Sequence, residues 1–188
     1  MKNLSDQFVW KALKEGDLKA FSILYKTYYP ILYNYGLKIS RKVPLTEDTL
    51  QDFFLYVYEH RENLSDLDSI APYLFSSYRR YLIKTLKKKS KIISFDEMEM
   101  KIIDIQFTPE EIITNQESAT FKNKNIATLL NKLPKRQKEA IYLKYYSGLN
   151  TNDIANIMGV NYQSAANTIH KAIKNLREEV SILQLLNS

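Results

Sequence analysis

Apolar residues recur at helical spacing through nearly every segment of this sequence, and only four glycines interrupt them. The clearest run is Leu50, Phe53, Phe54, Val57 and Tyr58. The spacing i, i+3, i+4, i+7, i+8 draws one stripe along a helix and does not fit the two-residue alternation of a half-buried strand. Leu74, Phe75, Tyr78, Leu82, Thr85 and Leu86 repeat the pattern. The fold class this predicts is all-α. With 188 residues, 45% of them hydrophobic, the chain can build two small helical domains around separate cores.

The breaks between periodic runs set the expected organisation. Ser5 or Asp6 caps a first helix carrying Phe8, Val9, Ala12 and Leu13, and Gly16-Asp17 reads as a stop followed by a new cap. A long run follows from Leu18 through Phe21, Leu24, Tyr25, Tyr28, Ile31, Leu32 and Tyr35, with Pro30 expected to kink it or mark a boundary. Pro44 closes a short loop and Thr46 caps the third helix. A polar loop spans Arg61 to Ser69, and a fourth helix runs from about Ile70 to Lys89 with Pro72 in its first turn.

The charge then changes sign. From Arg79 to Lys91 every charge is positive, whereas between Ser94 and Glu117 stand Asp96, Glu97, Glu99, Asp104, Glu110, Glu111 and Glu117 against a single lysine. These shifts divide the chain into a first domain over 1–91, a linker over 92–116 and a second domain over 117–188, with Thr108 able to cap a helix from Glu110. Within the second domain the spacing predicts helices over Asn125 to Leu133, Pro134 to Ser147 ending at Gly148, one capped by Asn150 or Thr151, and one capped by Asn161 and running past Arg177.

Composition excludes several chemistries. The chain has no cysteine, so disulfides, thiolate catalysis and cysteine-based metal sites are ruled out. No apolar run opens the sequence between Met1 and Trp10, and none reaches the length of a membrane span, so a cytoplasmic protein without membrane insertion is expected. No nucleophile–base pair or phosphate-cradling glycine loop is present, and neither an enzyme nor a cofactor is expected. Asp48, Asp52 and Glu59 share one face of the third helix, but no histidine joins them at helical spacing, and a solvated or protein-binding face fits better than a metal site. The net charge of +6 suits an anionic partner.

The most specific signal lies between Asn150 and Arg177: a short helix, a tight turn at Gly159-Val160, then a longer helix. This is the helix-turn-helix pattern. Ala155 is small where two helices must cross closely, and Gly159 suits the turn. Val160 plugs the gap, and Ala165, Ile169, Ala172, Ile173 and Leu176 form a buried stripe. At about 100° per residue, Gln163, Asn167, His170, Lys171 and Lys174 then point outward, with Ser164 at the edge and Tyr162 in the first turn. Gln163 and Asn167 can pair bidentately with adenine in the major groove, while Lys171 and Lys174 reach phosphates. A helical hairpin that merely packs would share the alternation, but not the full set of small residue, glycine, cap and stripe. On the fourth helix, Tyr73, Ser77, Arg80, Lys84, Lys87 and Lys88 share a cationic face, and Tyr73 can stack on an unpaired base.

Leu133-Pro134-Lys135-Arg136-Gln137, Tyr145 to Leu149, Asp153-Ile154-Ala155, Met158-Gly159-Val160 and Lys171-Ala172-Ile173-Lys174-Asn175-Leu176-Arg177 resemble region four of the sigma-70 family, in its extracytoplasmic-function group. Asp17 to Tyr35, Glu47-Asp48 with Gln51, Asp52 and Phe53, and Tyr73-Leu74 through Lys88 resemble region two. The resemblance implies a transcription initiation subunit that directs RNA polymerase core to promoters. Asp48, Gln51, Asp52 and Glu59 would dock on the β′ clamp helices, and the β flap would be a second contact. Tyr73, Ser77, Arg80, Lys84, Lys87 and Lys88 would open and read the downstream promoter element. The Tyr162 to Lys174 face would read the upstream one. An anti-sigma factor is a further implied partner. The chain departs from the family at Tyr73, where tryptophan is frequent, at Arg80 and Lys84, where asparagine and aspartate are, and at Ala166 and Thr168, where basic residues are. These departures bear on which promoter is read. Two other readings fit the residues: a stand-alone helix-turn-helix regulator, which would bind its site without polymerase, and a sigma mimic that sequesters a partner, which would bind no specific DNA.

Overall fold

A computed structural model describes residues 4–67, 69–89, 103–111 and 119–186. The described residues are helical almost throughout and divide into two compact units, the first formed by those up to 89 together with Asn156–Met158 and the second by the others from Ile103 onward. The remainder of the expected linker, 92–102 and 112–116, lies outside the described residues.

Four helices build the first unit: α1 (Leu4–Lys14), α2 (Leu18–Ser40), α3 (Val43–Glu59) and α4 (Ile70–Lys89). Gly16 takes φ +91°, which only glycine adopts freely, and Asp17 caps α2 by accepting from the Lys19 amide at 2.7 Å. α2 runs unbroken through Pro30, so no boundary falls there. Losing one amide and crowding one carbonyl is outweighed by the stripe on either side, because Leu24, Tyr28, Leu32, Tyr35 and Ile39 are all buried. At about 1.5–3 kcal/mol per fully buried large side chain, that stripe exceeds the cost of a proline inside a helix. Nor does Thr46 cap α3, which starts earlier at Val43 with Pro44 in the first turn. Pro44 needs no amide partner there. Thr46 is buried, and its hydroxyl bonds back to the Lys42 carbonyl at 2.9 Å and to Ser40.

Phe53, Phe54, Tyr35, Phe75 and Tyr78 are fully buried and form the centre of this unit. Tyr35 meets Phe75 at 5.4 Å between ring centres and Phe53 meets Tyr78 at 5.4 Å, both within the range where rings attract beyond area burial. Gly36 is the point of closest approach. A methyl placed there would overlap the Tyr78 hydroxyl and lie 2.9 Å from two of its ring carbons.

The second unit contains α5 (Ala119–Lys132), α6 (Lys135–Ile141), α7 (Thr151–Met158) and α8 (Tyr162–Leu186). α6 continues into one turn of π-helix over Tyr142–Tyr146 before Gly148 ends it at φ +67°. Asn150 caps α7, its side-chain oxygen accepting from the Asp153 amide at 3.0 Å, and Asn161 caps α8 by accepting from Ser164 at 2.8 Å. Residues 103–107, inside the span expected as linker, pack into this unit. Ile103, Ile105 and Phe107 are buried and alternate with half-buried Asp104 and Gln106. The Asn131 amide holds both the N–H and the carbonyl of Phe107, at 2.8 and 2.9 Å. Buried Lys138 pairs with Asp104, and the Phe107 ring lies 5.4 Å from Tyr146.

Candidate polymerase and promoter interfaces

α3 presents its apolar stripe inward, so the expected docking residues are forced out: Asp48, Gln51, Asp52 and Glu59 are all exposed. Leu55 lies between them on the same face and is 56% exposed. Sequence reasoning passed over it because it looks like part of the apolar run. Its helical angle, about 340° from Asp48 against 40° for Asp52 and 20° for Glu59, places it with the carboxylates. An exposed leucine ringed by carboxylates is a mixed face of the kind that meets protein.

α4 lies beside α3 and carries the opposite charge. Arg80, Lys84 and Lys88 are exposed and Tyr73, Ser77 and Lys87 are half-buried, so the expected stripe is brought together on one face. Arg79, counted in the cationic run, turns inward and is buried. The Arg80 guanidinium is held against its own helix, donating to the Ser76 hydroxyl at 2.8 Å. Tyr56 from α3 adds to this surface. It is exposed, stacks on the His60 imidazole at 4.1 Å and lies 6.1 Å from the Tyr81 ring. Burial raises the pKa of Tyr73, and nearby Tyr56 pushes in the same direction, while the Ser77 hydrogen bond and Arg80 oppose it. Burial likewise raises Tyr81, helped by Asp52 and Tyr56. These phenols are therefore neutral hydrogen-bonding rings at ordinary pH. A cationic edge beside tyrosine rings can take backbone phosphates and stack unpaired bases.

In the second unit the helix-turn-helix geometry follows from three small features. Ala155 on α7 and Ala165 on α8 are buried. Gly159 takes φ +65° with open space around it, so backbone conformation rather than crowding demands glycine. Ile154 is buried and Val160 is half-buried. Tyr162, Gln163, Ser164, Asn167, His170, Lys171 and Lys174 are all exposed along α8. Gln163 donates to Asn167 at 3.1 Å, which aligns both amides along the face, and Lys174 approaches Glu178 at 3.8 Å. Ile173 and Leu176 are only half-buried, because they line a cavity of about 640 Å³ with Leu130, Ile141 and Tyr145. No group of metal-ligating side chains occurs among the described residues, and no helix there is long and apolar enough to cross a membrane.

These features define a two-part helical DNA-binding protein with a separate acidic face. Comparison with known proteins identifies the class. Residues 24–92 match the model of sigma-70 region 2, and residues 123–176 match that of sigma-70 region 4. The extracytoplasmic-function sigma factor SigX of Bacillus subtilis is 23% identical over 171 residues, covering 88% of this chain and 86% of SigX. SigL of Mycobacterium tuberculosis is 25% identical, covering 82% of this chain and 85% of SigL. The fold is similar to that of CnrH in complex with the cytosolic domain of CnrY, with a TM-score of 0.63 at 15% identity over 94% of this chain and 97% of that one. It is also similar to RpoE in complex with the anti-sigma factor NepR from Bartonella quintana, with a TM-score of 0.59 at 20% identity over 88% of this chain and 99% of that one.

The chain belongs to the sigma-70 family, in its extracytoplasmic-function group. It is a sigma factor, a non-enzymatic subunit that directs RNA polymerase core to promoters for transcription initiation.

Proposed function

We propose that this sigma factor divides its work among three faces. Asp48, Gln51, Asp52 and Glu59, with Leu55 at their centre, dock on the β′ clamp helices of the polymerase. Tyr73, Ser77, Arg80, Lys84, Lys87 and Lys88 take the melted downstream promoter element. Tyr162, Gln163, Ser164, Asn167, His170, Lys171 and Lys174 read the upstream element as duplex, and the second unit also meets the β flap. The observation that carries this reading is the meeting of an acidic α3 face and a cationic, tyrosine-bearing α4 face on one small unit. One face suits a protein partner and the other suits nucleic acid, which supports a reading in which unpaired DNA is held next to polymerase.

The domain limits proposed with it are 1–91 and 117–188 with a linker over 92–116, to which the packing of residues 103–107 adds a short anchored stretch. Two modest grips on one chain gain from effective concentration, and both weaken as salt rises because lysine and arginine displace counterions from DNA. The site of action is the cytoplasm, where polymerase works. An anti-sigma factor is a proposed partner, as one is bound to the RpoE that this fold resembles.

Run-off transcription tests the reading. Fragmented genomic DNA from the host is transcribed by its sigma-free core polymerase with and without the protein. Discrete starts that depend on the protein are expected. No new starts, with a control sigma active on the same core, would favour a stand-alone regulator if the chain alone footprints DNA, and a sigma mimic if it does not.

A further inference from the structure

Trp10, the chain's sole tryptophan, sits in α1 and yet touches two elements far along the sequence. It is 2% exposed. Its indole N–H donates to the backbone carbonyl of Ser65 at 3.0 Å, across 55 residues. Its ring meets Tyr73 edge-on, 5.3 Å between centres at 69°. Ser65 belongs to the irregular segment between α3 and α4, and Tyr73 to the first turn of α4. Among the described residues that segment has little to hold it: after a single 3-10 turn over Arg61–Asn63, only Leu64 is buried before Ile70. Its remaining ties are peripheral. Lys14, also from α1, pairs with exposed Asp66 at 2.6 Å, and Arg61 donates to the Tyr58 carbonyl at 3.0 Å while lying over the Tyr58 ring. Exposed ion pairs add little, so the buried indole is the principal tie among the described residues.

We propose that Trp10 is a positioning residue for promoter opening: by pinning Ser65 and bracing the Tyr73 ring, it fixes the surface on which an unpaired base of the downstream element stacks. The inference rests on the role given above to Tyr73. A base gains from stacking only where the ring is already in place, since a ring that must first be ordered loses that entropy from the binding. Edge-on packing against Trp10 fixes the Tyr73 ring plane, while Tyr73 itself stays only half-buried.

The test uses the full chain with core polymerase on a promoter fragment recovered by run-off transcription, with 2-aminopurine placed in the downstream element to report base opening. Trp10→Phe, Tyr73→Ala and the double variant are compared with the native chain for opening and for core affinity. Opening is expected to fall about fivefold in Trp10→Phe and about tenfold in Tyr73→Ala, with the double variant no worse than about tenfold, because two residues acting through one contact are not additive. Core affinity should stay within about twofold throughout. A double variant near the product, about fiftyfold, would show that Trp10 acts independently of Tyr73 and would overturn the proposal. Native-like opening in Trp10→Phe would overturn it as well. Native-like opening in Tyr73→Ala would instead remove the stacking role of Tyr73, and this inference with it. Should Trp10→Phe fold poorly, biosynthetic replacement of this one tryptophan by benzothienylalanine deletes the indole N–H and keeps the bicyclic ring. A defect in opening is again expected, and native opening would again overturn the proposal.

Discussion

The two units are filled with different side chains, and the difference follows what each displays. Tyr35, Tyr78, Phe53, Phe54 and Phe75 fill the first, and the rings of its proposed nucleic-acid face are themselves half-buried, with Tyr73 against Trp10 and Tyr81 beside Tyr56. The second packs Ala127, Ala140, Ala155, Ala165 and Ala172 among leucines and isoleucines, and its proposed reading face on α8 stands in water. Capturing an unpaired base needs rings already set in place, which large neighbours supply. Reading duplex DNA needs a rigid helix held off its support by a close crossing, which alanines supply, while the polar side chains reorient on contact. Preorganisation thus sits in the side chains of one unit and in the backbone of the other.

The sharpest way to break this comparison is to disturb the ring-filled core alone. Gly36→Ala should destabilise the first unit by about 3 kcal/mol or more, since its methyl would overlap Tyr78 between two packed helices and neither can shift cheaply. Hydrogen exchange separates the units: amides of α4 should lose protection while those of α8 keep it. Adding Tyr78→Phe should recover part of the loss, because it removes the nearest atom of the clash. That hydroxyl is also buried without a hydrogen-bond partner among the described residues, so its removal costs little. Equal loss of protection in α8 would mean that the two units do not unfold separately.

Reversing charge on the proposed docking face comes next. Asp52→Lys with Glu59→Lys should weaken core polymerase binding by about tenfold to a hundredfold, because like charges then face each other across the contact. Both side chains are exposed, so the melting temperature should hold. Transcription at the native level would remove α3 as the docking face. A smaller effect is expected on α8. Gln163→Ala with Asn167→Ala should reduce discrimination of the upstream element by about tenfold, the low end for two amide contacts that can each be worth about 1–3 kcal/mol, because their mutual hydrogen bond in the free chain must first be exchanged. Unchanged promoter choice would mean that another face of α8 reads the DNA.

What was legible in the sequence were features with a local cause. The limits of α4 and the caps at Asp17 and Asn161 came from spacing and side-chain chemistry within a turn or two, and so did the outward face of α8. What was not legible depended on distant partners. Pro30 could continue α2 only because Tyr28 and Leu32 found buried sites on either side of it. Phe107 sits in a run whose acidic composition reads as linker, and its anchorage depends on an asparagine 24 residues later. The π-turn at Tyr142–Tyr146 has no compositional mark, since one inserted residue per turn is chosen by packing. The apolar set expected on α1 includes Phe8, which is exposed, and leaves out Trp10, which is buried, and nothing in the neighbourhood of Trp10 announces Ser65 or Tyr73. Leu55 differs: the helical angle that assigned Asp52 to the docking face assigns Leu55 there too, so that signal was present in the sequence.

The smallest effect expected separates the two interiors by pH. Burial pushes the Tyr28 phenol up to about 12, with Asp6 adding to the shift, and burial raises Tyr78 strongly as well. Tyr29, Tyr73 and Tyr81 are raised too, and all five lie in the first unit. In the unfolded chain these phenols ionise near pH 10, so above that pH the unfolded state releases protons that the folded state keeps. The sign follows: stability is fully present below about pH 10 and is lost as pH rises toward the raised folded values. Between about pH 9 and 11.5, α4 amides should therefore lose protection before α8 amides do. Tyr28→Phe should flatten that decline, because the substituted ring has no proton to release. If α8 loses protection first, or if Tyr28→Phe leaves the slope unchanged, the alkaline limit belongs to the lysines common to both units rather than to the rings that fill the first.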